Sequence, residues 1–203
     1  MLTIGLTGGI GSGKSEASRI LEALGARVVN ADSIGHQVYR QGEPAWHEVV
    51  ETFGREVLKD NGDVDRGKLG EIVFARPDRM DALTDIVWPR IREKLQHTIA
   101  TARTSGQRMP LVVEAAVLFE AGWDDLFDEV WVIAAPREAV FERLTAGKGM
   151  SADAAEARID AQMPVEEKTA RADVIVRNDG SLEDLRAEIT GLWQERTQGR
   201  HIT

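Results

Sequence analysis

The 203-residue chain contains no cysteine. That removes a disulfide framework, a thiolate nucleophile and a cysteine-ligated metal site, and it fits a reducing compartment. Long apolar runs are absent as well: none approaches the length that crosses a bilayer, and no charged-then-apolar leader precedes Leu2. A cytoplasmic protein with no membrane attachment is the expectation. Basic charge is also in short supply. With 34 Asp and Glu against 25 Lys and Arg, the net charge of −9 opposes general attraction to nucleic acid or to an anionic surface. A polyphosphate ligand must therefore be captured by local features. Internal repeats and low-complexity tracts are missing too, and the length suits one sizeable α/β domain with room for an inserted subdomain.

What the chain does have is a concentration of glycine near its start. Gly8-Gly9-Ile10-Gly11-Ser12-Gly13-Lys14-Ser15 satisfies G-x-x-x-x-G-K-[ST] at every fixed position and follows a short apolar run, Leu2 to Leu6, that reads as a buried strand. Backbone N–H groups converge on a phosphate only where side chains are absent, which accounts for Gly8, Gly9, Gly11 and Gly13 in one turn. Lys14 would then reach the β- and γ-phosphates of a nucleotide, and Ser15 offers a hydroxyl to Mg²⁺. A helix starting near Gly13 aims the positive end of its dipole at the same charges.

Four further apolar runs read as strands: Arg27 to Val29, Leu111 to Val113, Val130 to Ala134 and Val174 to Val176. Helical patterns separate them. Lys14 to Leu24 carries Ala17, Ile20, Leu21 and Leu24 on one side and stops at Gly25, while Ser181 with Asp184 opens a last helix running to about Thr197. Strands alternating with helices predict an α/β fold: a parallel sheet of about five strands with helices on both faces, which binds ligands at the carboxyl ends of its strands.

Two stretches exceed a minimal βα repeat. Ser33 to about Gln107 reads as a helical insertion, with a turn at Asp60-Asn61-Gly62-Asp63, punctuation at Pro77 and Pro89, and Ile91, Leu95, Ile99 and Ala102 at helical spacing. From about Arg137 to Arg171 the chain is charged and mostly helical. Ser151 is suited to cap a helix running to Met163 and ended by Pro164, and Arg143, Lys148, Arg158, Lys168 and Arg171 supply cations. This second stretch fits either a movable lid or an ordinary solvated helical pair.

Phosphoryl transfer asks for a phosphate cradle, a metal anchor, a carboxylate to position the acceptor, and mobile cations. Asp32, just after the strand that ends at Val29, is placed to accept the proton of an acceptor hydroxyl; alternatively it caps a helix beginning near Ile34, a role open also to Asn30 or Ser33. Glu114, at the end of the strand Leu111 to Val113, fits a carboxylate that binds Mg²⁺ through water or one tied to backbone N–H groups. His36 falls one helical turn after Asp32, where it either approaches the acceptor or stands as a lone surface histidine. Asn178-Asp179-Gly180 is a strong turn whose backbone is suited to recognise adenine.

Blocks running nearly end to end resemble the dephospho-CoA kinase family. They are Leu6-Thr7-Gly8 through Ser15, Ala31-Asp32 with His36, Gly42-Glu43-Pro44-Ala45, Phe53-Gly54, Asp60 through Leu69 with Val73-Phe74, Leu118-Phe119-Glu120, Ala157 through Pro164, Lys168 to Ile175, and Asn178-Asp179-Gly180. The resemblance implies transfer of the γ-phosphoryl of ATP to the ribose 3′-hydroxyl of dephospho-coenzyme A, giving coenzyme A and ADP with Mg²⁺ as the metal. It implies Asp32 as the catalytic carboxylate and Gly11, Ser12, Gly13, Lys14, Ser15 and Glu16, with Gly9, around the ATP phosphates. Residues 1–32, 108–136 and 172–203 would form the nucleotide-binding core, 33–107 the acceptor domain, and 137–171 the lid, with Arg143 and Lys148 as its cations. Small-molecule substrates and a monomer or small homo-oligomer are expected. The chain departs from the family's pattern at Asn30, where a second Asp is frequent, and at Trp88-Pro89, where His-Pro is usual. It departs again at Ala116, a usual proline, and at Gly147-Lys148, where arginine is common and lysine loses bidentate geometry.

Two rival functions are weaker. A kinase of nucleoside monophosphates needs several arginines on the acceptor, and Arg40, Arg55 and Arg66 fall at no useful spacing. A nucleotide switch would suit the D-x-x-G of Asp32-Ser33-Ile34-Gly35, yet no N-K-x-D follows anywhere.

Overall fold

Five short apolar runs become the strands of one sheet in the computed structural model, which describes residues 1–106, 109–147 and 149–198. They are β1 (Thr3–Gly8), β2 (Arg27–Asn30), β3 (Leu111–Glu114), β4 (Glu129–Ala134) and β5 (Val174–Arg177). Their order is β2-β3-β1-β4-β5 and every pairing is parallel. The inner strands β1 and β3 are buried along their whole length, as strands covered on both faces must be, and this is why they read as unbroken apolar runs. At the edge, β5 alternates instead: Val174 and Val176 are buried while Ile175 and Arg177 face out.

The connections set the site. From β1 the chain passes outward to β2, whereas from β3 it crosses back over β1 to reach β4, so the segments leaving β1 and β3 diverge. A crevice at the carboxyl ends of these two neighbouring strands is the place where such a sheet receives a ligand.

The helices are α1 (Lys14–Ala23), α2 (Ala31–Val38), α3 (Pro44–Phe53), α4 (Arg66–Ala75), α5 (Pro77–Thr104), α6 (Arg137–Glu142), α7 (Ala152–Asp160), α8 (Val165–Ala170) and α9 (Leu182–Gln198). The chain divides into two compact units, one of Met1–Asn30 with the chain from Ala102 onward, the other Ala31–Thr101. In the first, Ile4, Leu6, Trp131 and Ile133 of the sheet meet Ala17, Ile20 and Leu21 of α1 and Leu185, Ile189 and Trp193 of α9. Each large side chain so buried contributes on the order of 1.5–3 kcal/mol. A reciprocal cap starts α9: Ser181 N–H donates to Asp184 Oδ2 at 2.9 Å and Asp184 N–H to Ser181 Oγ at 3.2 Å.

The second unit has its own core of Val49, Phe53, Val57, Val64, Leu69 and Val73, with Trp46, Leu83 and Ile86 around it. The Asp60–Asp63 turn forms as expected: Leu58 and Val64 bridge antiparallel across it, Gly62 takes φ +85°, and Trp46 Nε1 donates to the Gly62 carbonyl at 2.9 Å. Val87, Ile91, Leu95 and Ile99 line the buried side of α5.

Three local expectations are corrected. Pro89 lies inside α5 and does not end it, so the helix runs on past the N–H that the ring removes. The α7 helix stops at Asp160, and Pro164 becomes the cap that opens α8 rather than the breaker that closes α7. Most relevant to the site, α2 begins at Ala31, directly after β2, so neither Asp32 nor Ser33 is its cap.

Candidate active site

The loop after β1 depends on glycine where the backbone turns. Gly13 takes φ +100°, a region only glycine enters freely, and a Cβ there would collide with Asn178 Nδ2. Lys14 Nζ donates to the carbonyls of Gly8 at 2.8 Å and Gly9 at 3.0 Å, so the ammonium sits against the loop's own start. Ser12 Oγ is buried with no partner among the described residues. A buried hydroxyl of this kind calls for a polar group to satisfy it. Glu16 turns to the surface, where it pairs with Arg19 at 2.8 Å.

Glu114, the last residue of β3, is buried to 7% exposure. Its partners are hydroxyls, not the backbone N–H groups of the structural alternative: Ser15 Oγ donates to Oε1 at 3.2 Å and Ser18 Oγ to Oε2 at 2.9 Å. The hydroxyl and carboxylate that sequence reasoning nominated separately for a metal are thus brought together at the ends of β1 and β3. Among the described residues, no group of three or more His, Asp or Glu is arranged to hold a metal by itself.

Three successive loop residues are held from outside. Gln162, just past α7, accepts the Ile10 N–H at 2.7 Å. Arg143, just past α6, donates to the Gly11 carbonyl at 3.2 Å and to the Asn178 carbonyl at 3.1 Å. Asn178, at the end of β5, donates from Nδ2 to the Ser12 carbonyl at 2.7 Å, while its own N–H donates to the Ala134 carbonyl at 2.7 Å. The side chain of Asn178, not only the turn backbone, therefore engages the loop. Gln162 falls in the Ala157–Pro164 block that resembles the family, yet its partner could not be read from spacing, because the contact joins residues 152 positions apart.

Lys148 lies outside the described residues. Two other cations of the 137–171 stretch are committed elsewhere. Lys168 is fully buried, donating to Glu120 Oε1 at 2.8 Å and the Ala116 carbonyl at 3.1 Å. Arg171 stacks 4.4 Å over the Phe119 ring and pairs with Asp124 at 3.1 Å. In the same stretch Val140, Leu144 and Ala155, with Ala135, form a small core that the loop's Ile10 joins.

In the second unit Asp32 is exposed in the first turn of α2, with His36 one turn on. Burial holds the His36 imidazole below its usual pKa, Arg66 lowers it further and Asp32 opposes both. Burial raises the Tyr39 hydroxyl while Arg66 lowers it. Here one expectation fails. Arg40 and Arg66, set aside for their spacing, line a single basin together with Lys59, His36 and Tyr39; Arg55 does not. Chain folding, not spacing, brings them together.

Among the described residues no helix is long and apolar enough to cross a membrane. A family model described as dephospho-CoA kinase matches residues 2–184. The chain is 44% identical over 197 residues to the dephospho-CoA kinase of Geobacter sulfurreducens, covering 97% of this chain and 99% of that one. It is 43% identical over 192 residues to that of Carboxydothermus hydrogenoformans, covering 95% and 93%. The solved dephospho-CoA kinase of Campylobacter jejuni superposes with a TM-score of 0.74 at 31% identity, over 97% of this chain and 98% of that one. The chain belongs to the dephospho-CoA kinase family.

Proposed function

We infer that this protein transfers the γ-phosphoryl group of ATP to the ribose 3′-hydroxyl of dephospho-coenzyme A, releasing coenzyme A and ADP, the closing step of coenzyme A synthesis. The observation that carries the reading is the glycine-built loop with Lys14 and the Ser15–Glu114 pair at the diverging ends of β1 and β3.

In this reading the N–H groups from Gly11 to Glu16, with Gly9 in the same turn, surround the ATP phosphates, and Ser12 Oγ finds there the partner it otherwise lacks. Lys14 leaves the Gly8 and Gly9 carbonyls for the β- and γ-oxygens, where its charge stabilises the transition state. The donor set of Ser15 Oγ and the Glu114 carboxylate suits Mg²⁺, a hard cation that takes few protein oxygens and completes its shell with water and phosphate. When bound there, Mg²⁺ supplies positive charge to the β- and γ-oxygens. Asp32 accepts the proton of the 3′-hydroxyl as that oxygen attacks the γ-phosphorus and the bond to the β-bridging oxygen breaks. Residues 33–107 receive the acceptor, His36 among them. Residues 137–171 form a lid that excludes water, with Arg143 and Lys148 as its cations, and Asn178 borders the nucleotide.

ADP release is measured with ATP and Mg²⁺, with and without dephospho-coenzyme A, and the product is identified by mass. Acceptor-dependent release with coenzyme A as product is expected. In Asp32→Asn, turnover should fall roughly a hundredfold or more with ATP binding intact. Acceptor-independent release would instead indicate a hydrolytic switch, and near-normal turnover of Asp32→Asn would remove Asp32 from the reaction.

A further inference from the structure

Lys168 carries a charge at 0% side-chain exposure, and stability alone does not account for it. Apolar residues of similar volume often match or exceed a buried ion pair in stability, because desolvation offsets the attraction. What an ammonium adds over a methionine is direction, since its N–H groups fix particular oxygens. Here both oxygens belong to the short stretch that follows β3. Glu120 Oε1 accepts at 2.8 Å and the Ala116 carbonyl at 3.1 Å. The lysine itself is carried by α8, so one side chain clamps this stretch from outside.

The clamped stretch is one arm of the fork at the ends of β1 and β3. Leu6 and Glu114 are the last register pair of the two strands, and the Ala115 N–H donates to the Leu6 carbonyl at 2.9 Å just beyond it. From there β1 runs on into the phosphate loop while the chain after β3 turns away. The Ala116 carbonyl ties the two arms again: Thr7 Oγ1 donates to it at 3.4 Å from β1, and Lys168 Nζ at 3.1 Å from α8. The ammonium's bond is the shorter and is charge-assisted, which makes it the stronger tie. Thr7 immediately precedes Gly8, and Ala116 follows Glu114 by two residues. On the reading that Ser15 and Glu114 hold the divalent cation of ATP, we propose that Lys168 is a positioning residue for that pair. It fixes the arm that carries Glu114, so that Glu114 Oε1 stands 3.2 Å from Ser15 Oγ before any ligand arrives. Partners one step behind a metal's ligands act in this way, by orienting the ligands and not by touching the ion.

The test compares the wild-type protein with Lys168→Met, Thr7→Val and Ile189→Val. The last trims a core residue of α9 and serves as a control for lost packing alone. Mn²⁺, an oxygen-seeking stand-in for Mg²⁺, is titrated into each protein with ADP held below the protein concentration, and free Mn²⁺ is read by electron paramagnetic resonance. In Lys168→Met the Kd for Mn²⁺ should rise roughly tenfold to a hundredfold. Its kcat should fall in step while the KM for dephospho-coenzyme A stays within twofold of wild type. Thr7→Val, which removes the weaker tie, should raise the Mn²⁺ Kd roughly threefold, and Ile189→Val should leave it unchanged. A Mn²⁺ Kd in Lys168→Met within twofold of wild type would overturn the assignment, as would an equal rise in Ile189→Val or no Mn²⁺ binding by the wild type. Should Lys168→Met fail to fold, Thr7→Val decides, and a Kd within twofold of wild type rejects the role. A wild type that binds Mn²⁺ with ADP yet leaves dephospho-coenzyme A unphosphorylated would defeat the functional reading, while the Mn²⁺ titrations would still decide the role of Lys168.

Discussion

Removing Glu120 should damage the fold more than removing the charge of Lys168, although the two form one ion pair. The pair is unequal: the Lys168 side chain is 0% exposed and that of Glu120 is 22% exposed. In Glu120→Ala the ammonium stays buried with the Ala116 carbonyl as its remaining partner. Breaking a buried pair in this way costs about 3–5 kcal/mol when the survivor is sealed from water, and the cavity left by Glu120 admits some, so about 2–4 kcal/mol is expected here. Lys168→Met keeps the length of the apolar stem, and Glu120, 22% exposed although its Oε2 is buried without a partner among the described residues, can rotate its carboxylate out to solvent. Its cost is confined to the lost bond on Ala116, whose carbonyl still accepts from Thr7 Oγ1 at 3.4 Å, and should stay near or below about 1.5 kcal/mol. For a chain of this size those figures correspond to falls in Tm of roughly 4–16 °C for Glu120→Ala and less than about 6 °C for Lys168→Met. Thermal unfolding by circular dichroism reads both. The double variant should match Lys168→Met alone, since the second change removes the charge that the first strands. A Lys168→Met variant as unstable as Glu120→Ala would refute the reasoning, because the cost would then lie in packing.

Gln162→Ala leaves the Ile10 N–H without its partner and should raise the KM for ATP several-fold, while Gln162→Glu, which keeps an acceptor oxygen, should recover most of it; an unaltered KM in the alanine variant would show that the bond does not shape the loop. His36 should titrate below 6.5 by NMR, and Arg66→Ala should raise its pKa by removing one of the two causes that depress it. The sign for stability follows: as pH falls through 6.5 the unfolded chain takes the proton first, so the His36 contribution weakens from there down to the folded pKa.

How much of this was legible beforehand divides by range. Strands and the phosphate loop rest on adjacent residues, so Leu2 to Leu6 and Gly8 to Ser15 disclosed β1 and its loop, and the capping pair Ser181 and Asp184 disclosed the start of α9. Glu114 was legible as a strand-end carboxylate, but its hydroxyl partners were not, because α1 lies 96 residues or more away in sequence. The same limit hid the convergence of Arg40, Lys59 and Arg66. Spacing on a helix can be counted, whereas the turn at Asp60–Asp63 folds Lys59 and Arg66 back in a way that no periodicity encodes. Lys168 misled for another reason: a lysine in a charged segment is ordinarily solvated, and only the fold reveals one buried against Glu120.

The restraints on the phosphate loop have a consequence for how the two ends of the first unit's helical stretch communicate with it. A loop rich in glycine is flexible in isolation, and an anion site made of backbone N–H groups works only if those groups are already converged. Here the convergence is imposed from outside, by Gln162 on Ile10, Arg143 on Gly11 and Asn178 on Ser12. Asn178 belongs to the sheet's β5 edge and is fixed by its own bond to Ala134. The other two belong to the segment that brackets α7, Arg143 before it and Gln162 after it. A displacement of that segment would therefore release two of the three restraints while the third remains, so the position of the segment and the order of the loop are coupled through named hydrogen bonds. The coupling runs through the loop itself and needs no bound ligand.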